Sequence, residues 1–190
     1  MEFTAAHERT LLDVARGAIR RALGAEVPNG GLPEPCDDPA LMQPAGCFVS
    51  LHRRVERRLR GCVGRLDAQG PLLIVVRETA ANVLNDPRFT DQPVTLAELS
   101  ELELDISILS PLKEAASPLH FDPLADGIYL TFGDRAGCFL PQVARETGWT
   151  REQLLDRLCT EKLGVPAATW RNPKAQLHVF STVVVGPDAF

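Results

Sequence analysis

Apolar positions at the start of the chain recur with helical spacing. Leu11, Ala15, Ala18, Ile19 and Ala22 fall on one face, while Arg9, Asp13, Arg16, Arg20 and Arg21 mostly fall elsewhere. The pattern predicts an amphipathic helix from about Ala5 to Leu23, capped by Thr4 and stopped at Gly24. From Ala25 to Pro44 the periodicity is lost. Five prolines, with glycines and Asp37-Asp38, deny a regular element, and a surface loop is expected. Alternation follows at Cys47 to Leu51 and again at Arg57 to Leu66, two strands expected to pair as a hairpin. In that pairing Val49 and Leu51 join Leu59 and Val63 on the core face. Arg58, Arg60, Cys62 and Gly64 take the other face, with Ser50 and His52.

Helical spacing returns after Pro71, where Leu72, Leu73, Val76, Ala80, Val83 and Leu84 line one side as far as Asn85-Asp86-Pro87. Thr95 and Glu98 have the spacing of a capping box for a short turn. The clearest strand is Glu101 to Leu109. Leu102, Leu104, Ile106 and Ile108 alternate with Glu101, Glu103, Asp105 and Ser107, which predicts one buried and one solvated face. A second hairpin is expected from Asp126 to Phe132 and Gly137 to Leu140. A short helix from Pro141 to Glu146 and a longer one from Arg151 to Leu163 follow, the latter boxed by Thr150 and Gln153. One strand, Ala175 to Val185, ends the series. Strand pairs without intervening helices give an α+β fold, a mostly antiparallel sheet with packed helices.

Composition narrows this picture without redirecting it. The chain has 190 residues, 45% of them apolar and 24% charged, which suits one soluble globular domain over 1–190. A net charge of −5 argues against broad nucleic-acid binding, and aromatics at 6% offer no stacking platform. The basic cluster Arg53-Arg54 and Arg57-Arg58-Leu59-Arg60 is local; a solvated hairpin tip and a contact for an anionic ligand or acidic partner both stay open. No apolar run reaches the roughly 18 residues of a membrane span, and Met1-Glu2-Phe3-Thr4 does not open a signal peptide, so a cytoplasmic protein is expected. The cysteines Cys36, Cys47, Cys62, Cys138 and Cys159 have irregular spacing, which indicates neither a zinc site nor a disulfide framework. No metal and no cofactor is called for.

Candidate chemistry gathers at Leu59-Arg60-Gly61-Cys62-Val63-Gly64. A sulfur beside guanidinium charge favours the reactive thiolate, and flanking glycines let another group approach the backbone. A nucleophile needs a base within reach. Of His7, His52, His120 and His178, the first choice is His52, through the hairpin, and the second His178. A small buried thiol without chemistry is the alternative.

These residues resemble a known family. Leu59-Arg60-Gly61-Cys62-Val63-Gly64, Asn85-Asp86-Pro87-Arg88-Phe89 and Leu102-Glu103-Leu104-Asp105-Ile106-Ser107-Ile108-Leu109-Ser110 come in the order of an AMMECR-type domain, protein A of the AmmeMemoRadiSam system. Leu140-Pro141-Gln142-Val143-Ala144, Gly148-Trp149 and Trp170 continue the resemblance, which covers about 5–185. Val63 stands where the family has isoleucine, and the arginine-rich segment before Leu59 is unusually basic. The resemblance implies an α+β fold with two unequal lobes, and it brings no assigned reaction. It implies Memo-type and radical-SAM proteins as partners. Two functions stay open. One is a cysteine-dependent enzyme acting on a small anionic substrate, with Cys62 and His52 catalytic and Arg60, Gly61, Gly64, Asp86 and Arg88 binding. The other is a non-catalytic ligand- or protein-binding module.

Overall fold

The computed structural model describes residues 2–28, 37–67 and 69–190. Cys36 and the middle of the expected proline-rich loop lie outside the described residues. The described chain divides into two units of unequal size: residues up to Leu109 together with Val183–Phe190, and Ser110–Thr182.

The first unit begins with α1, Ala5–Ala22. Thr4 caps it as expected, but the third residue of its capping box is His7, whose Nδ1 accepts from the Thr4 N–H at 3.2 Å. A short helix α2, Pro39–Met42, interrupts the expected loop, started by Asp38 accepting from Ala40 N. The sheet of this unit runs in the order β2-β1-β3-β8, with β1 Cys47–Arg53, β2 Leu59–Arg65, β3 Leu102–Leu109 and β8 Thr182–Ala189. Helix α3, Leu72–Asn82, follows the hairpin. Leu11, Ile19, Val49, Leu51, Leu72, Val76, Leu104 and Ile106 bury the apolar faces of α1, α3 and the sheet in one core. Cys47 belongs to that core, and burial pushes its thiol up to about 11.

Two expectations fail here. The polar side of β3 is not solvated: Asp105 is 8% and Ser107 1% exposed. The hairpin register also slips. Leu51 faces Gly61 but His52 faces Leu59, which leaves Arg60 as the extra residue of a bulge. Leu59 therefore leaves the core side and shares a face with His52, because one inserted residue reverses the parity of all that precede it.

The second unit carries β4 Lys113–Glu114, β5 Gly127–Phe132, β6 Arg135–Phe139 and β7 Gln176–Phe180 in the order β4-β7-β5-β6. Helices α4 Pro141–Thr147 and α5 Arg151–Arg157 follow β6, and α5 runs on into a π-helical turn at Leu158–Leu163. Ile128, Leu130, Leu155, Leu158, Cys159, Trp170 and Leu177 form its core. The expected last strand is two strands in different sheets, parted at Ser181, whose N–H and C=O are taken by Ser110. The fold is α+β with two antiparallel sheets.

Candidate functional site

β2 is an edge strand, so alternate backbone groups on its outer side have no strand to bond. At Cys62 those groups are taken by the segment after α3. Asp86 Oδ2 accepts from Cys62 N at 2.8 Å, and Arg88 Nη2 donates to Cys62 O at 3.0 Å. The two side chains also grip each other, Arg88 Nη2 to Asp86 Oδ2 at 2.6 Å and Nε to Oδ1 at 3.0 Å. The local sequence makes this possible. Asp86 caps a tight turn begun by Pro87, and its Oδ1 accepts from Arg88 N. Asp86 is 2% exposed. Burial would raise its pKa, but the Arg88 side chain, then the N–H groups of Cys62 and Arg88, overcome that and hold the carboxyl down at about 2.

The register places Cys62 opposite Ser50, and Ser50 opposite Asp105, in one row across β2, β1 and β3. Ser50 Oγ donates to Cys62 Sγ at 3.3 Å. His52 Nδ1 lies 3.2 Å from Asp105 Oδ2, close enough for charge attraction but not aligned as a hydrogen bond. Burial pushes the Cys62 thiol above its ordinary 9.0, against the Ser50 hydrogen bond and the Arg88 charge, with Asp105 and Asp86 adding to the rise. The cation beside the sulfur is thus Arg88, not Arg58 or Arg60. Arg60 is turned away by the bulge: its Nε meets Glu98 Oε1 at 2.7 Å, and its Nη2 meets Glu98 Oε2 at 3.1 Å and Gln92 O at 2.6 Å.

The glycines do not open the strand to a ligand either. A Cβ on Gly64 would sit 2.3 Å from the Phe48 ring, and one on Gly61 3.0 Å from Val83 O. Both positions admit the protein's own atoms at close range. His178 lies in the second unit, where the pairing of β4, β7, β5 and β6 sets Glu114, His178, Tyr129 and Cys138 in one row. The structure thus brings Cys62, Ser50, His52, Asp105, Asp86 and Arg88 together within the first unit, and leaves Arg60 in other surroundings of that unit. Asp105 and Glu98 were not foreseen. Asp105 reads as one of a run of solvated alternating residues. Glu98 reads as a cap: Thr95 Oγ1 does accept from Glu98 N at 3.3 Å, but the Glu98 carboxylate goes to the arginines instead of back to the turn. Among the described residues no cluster of three or more His, Cys, Asp or Glu is placed to hold a metal ion. Nor, among them, is any helix long and apolar enough to cross a membrane.

Comparison with known proteins agrees with this arrangement of motifs. The AMMECR1 family model matches residues 12–185. A protein of Methanothermobacter thermautotrophicus is 33% identical over 187 residues, covering 95% of this chain and 94% of the other. A protein of Thermoplasma volcanium is 31% identical, over 92% of this chain and 90% of its own. The crystal structure of an uncharacterised protein from Pyrococcus horikoshii superposes with a TM-score of 0.79 at 31% identity, covering 92% of this chain and 88% of that one.

Proposed function

The chain belongs to the AMMECR1 family, and from that premise we propose that it is a non-catalytic binding module of the cytoplasm, with a small anion and Memo-type or radical-SAM proteins as its partners. One observation carries this reading. The thiol of Cys62 is pushed up by burial, and the guanidinium beside it is already matched by Asp86. A cysteine nucleophile needs the opposite, a cation free to stabilise thiolate. In the binding reading Cys62 is a small packed residue. Ser50, His52 and the half-exposed Arg88 give its surroundings their polar character.

The cysteine-enzyme reading has its own support. His52 beside Asp105 is the pairing of a base with an orienting carboxylate, and His52 follows by two residues along β1 the Ser50 that stands opposite Cys62. Alkylation of the native chain with iodoacetamide across pH, with peptide mapping, separates the two. The binding reading expects Cys62 to react only as pH climbs past the usual thiol range, and Cys62→Ser to keep partner binding. Preferential labelling of Cys62 below pH 7, ahead of the other cysteines, would establish the enzyme reading instead.

A further inference from the structure

We propose that the turn end of the β1–β2 hairpin is a binding site for a small phosphorylated molecule, recognised by Arg54 and Arg58. The site is separate from the face of Cys62, and the inference holds whether or not that sulfur is reactive. A cavity of 860 Å³ lies there, lined among others by Arg53, Arg54, Arg58, Leu59, Arg60 and Phe89. Small-molecule sites usually measure about 300–1,000 Å³.

The arginines of this end of the hairpin divide into two groups. Three are matched by carboxylates from the segment before β3 and from β3 itself. Arg60 and Arg53 share Glu98 Oε1, at 2.7 and 3.0 Å, and Arg53 also reaches Glu101 at 3.0 Å. Arg57, held at φ +49°, reaches Glu103 at 2.9 Å. The other two are not matched. Arg54 makes one long bond, 3.5 Å, to Ser100 O. Among the described residues the exposed Arg58 side chain has neither a hydrogen bond nor an ion pair. Glu56, at the tip, is the carboxylate left to offset them.

Two open guanidinium forks over a neutralised floor suit a compact group of more than one negative charge. Planar forks match phosphate oxygens in pairs. Leu59 and Phe89 give the cavity apolar wall for the rest of such a molecule, and Phe89 is steadied by the Arg60 and Arg88 guanidiniums at 5.9 and 5.7 Å from its centre. Glu56, Glu101 and Glu103 also line the cavity. They can accept from sugar hydroxyls, and they repel a strand of phosphates running beyond it. The scaffold is fixed before a ligand arrives: Arg53 N donates to Arg58 O and Arg54 N to Glu101 O, both at 2.9 Å.

The test is isothermal titration of the full chain with adenosine monophosphate and with glucose 6-phosphate, alongside adenosine, glucose, inorganic phosphate and a ten-nucleotide RNA. At least one of the two phosphorylated probes is expected to bind, more weakly as salt rises, with its unphosphorylated counterpart inert. Arg54→Ala and Arg58→Ala should each weaken it tenfold or more. Cys62→Ser and Arg20→Ala, on the exposed side of α1, should leave it unchanged. Failure of both phosphorylated probes, or unchanged affinity in both cavity variants, would overturn the site. Inorganic phosphate binding as tightly as the larger probes, or tighter binding of the RNA, would overturn the ligand class. Loss of binding in Cys62→Ser would move the ligand to the other face.

Discussion

The face of Cys62 and the turn end of the same hairpin both carry guanidinium charge, yet only the turn leaves part of that charge unmatched. Near the sulfur every cation is answered. Arg88 is locked to Asp86 and to the Cys62 carbonyl. At the turn, Arg53, Arg57 and Arg60 are answered by Glu98, Glu101 and Glu103, but Arg54 and Arg58 reach solvent without a carboxylate. The same residue type is a structural tie in one place and an unspent charge in the other. Local density of arginine does not decide which. The decision lies with Glu98, Glu101 and Glu103, 38 to 48 residues from the arginines they answer, and with Asp86, two residues from Arg88, and it is made by the fold.

That contrast can be attacked from either side. The largest effect is expected from Glu98→Ala, which strands the buried Arg60 charge. Losing one partner of a buried ion pair typically costs about 3–5 kcal/mol, measurable by urea unfolding. A loss below about 1 kcal/mol would show that Arg60 is no tie. Next comes Asp86. Its carboxyl titrates at about 2 in the folded chain against an ordinary 3.8. The group therefore adds stability that is complete above the ordinary value and drains away as pH falls through 3.8 towards 2. The difference is worth about 2 kcal/mol at most, since Arg88 is half exposed and screened. Unfolding followed from pH 6 to pH 2 should show that loss in the parent chain and not in Asp86→Asn, which should start out less stable. The smallest effect belongs to the turn. Arg54→Ala and Arg58→Ala should change stability by no more than about 0.5 kcal/mol, because nothing in the fold leans on those charges. A larger loss in a thermal melt would place them among the ties.

The elements were legible where local rules suffice. The Ala5–Ala22 helix announced itself by its apolar stripe and its Thr4 cap, and the Thr150–Gln153 box marked the start of α5. The family motifs were legible as well, and the fold they imply is the fold observed. Alternation in β3 sorted its residues between two faces but could not say whether the polar face is covered, so Asp105 and Ser107 passed for solvated residues. The bulge left no mark in Leu59-Arg60-Gly61, which reads as plain strand, and with it went the aim of Arg60. In the site itself, the shared face of Ser50, His52 and Cys62 was readable from period two. Whether Ser50 or His52 stands opposite the sulfur depends on pairing between strands, which a single strand's sequence does not contain. The split at Ser181 was hidden for a similar reason, since a change of sheet needs no glycine or proline.

The clamp of Asp86 and Arg88 on Cys62 has a consequence for how copies of the chain meet. An outer strand with bare amides is a template on which another extended peptide can zip itself, the first step of domain exchange and of fibril growth. Here the rim is plugged halfway along by two charged side chains that already hold the amide and the carbonyl a visitor would need. The molecule is thereby guarded, on this margin, against sticking to itself.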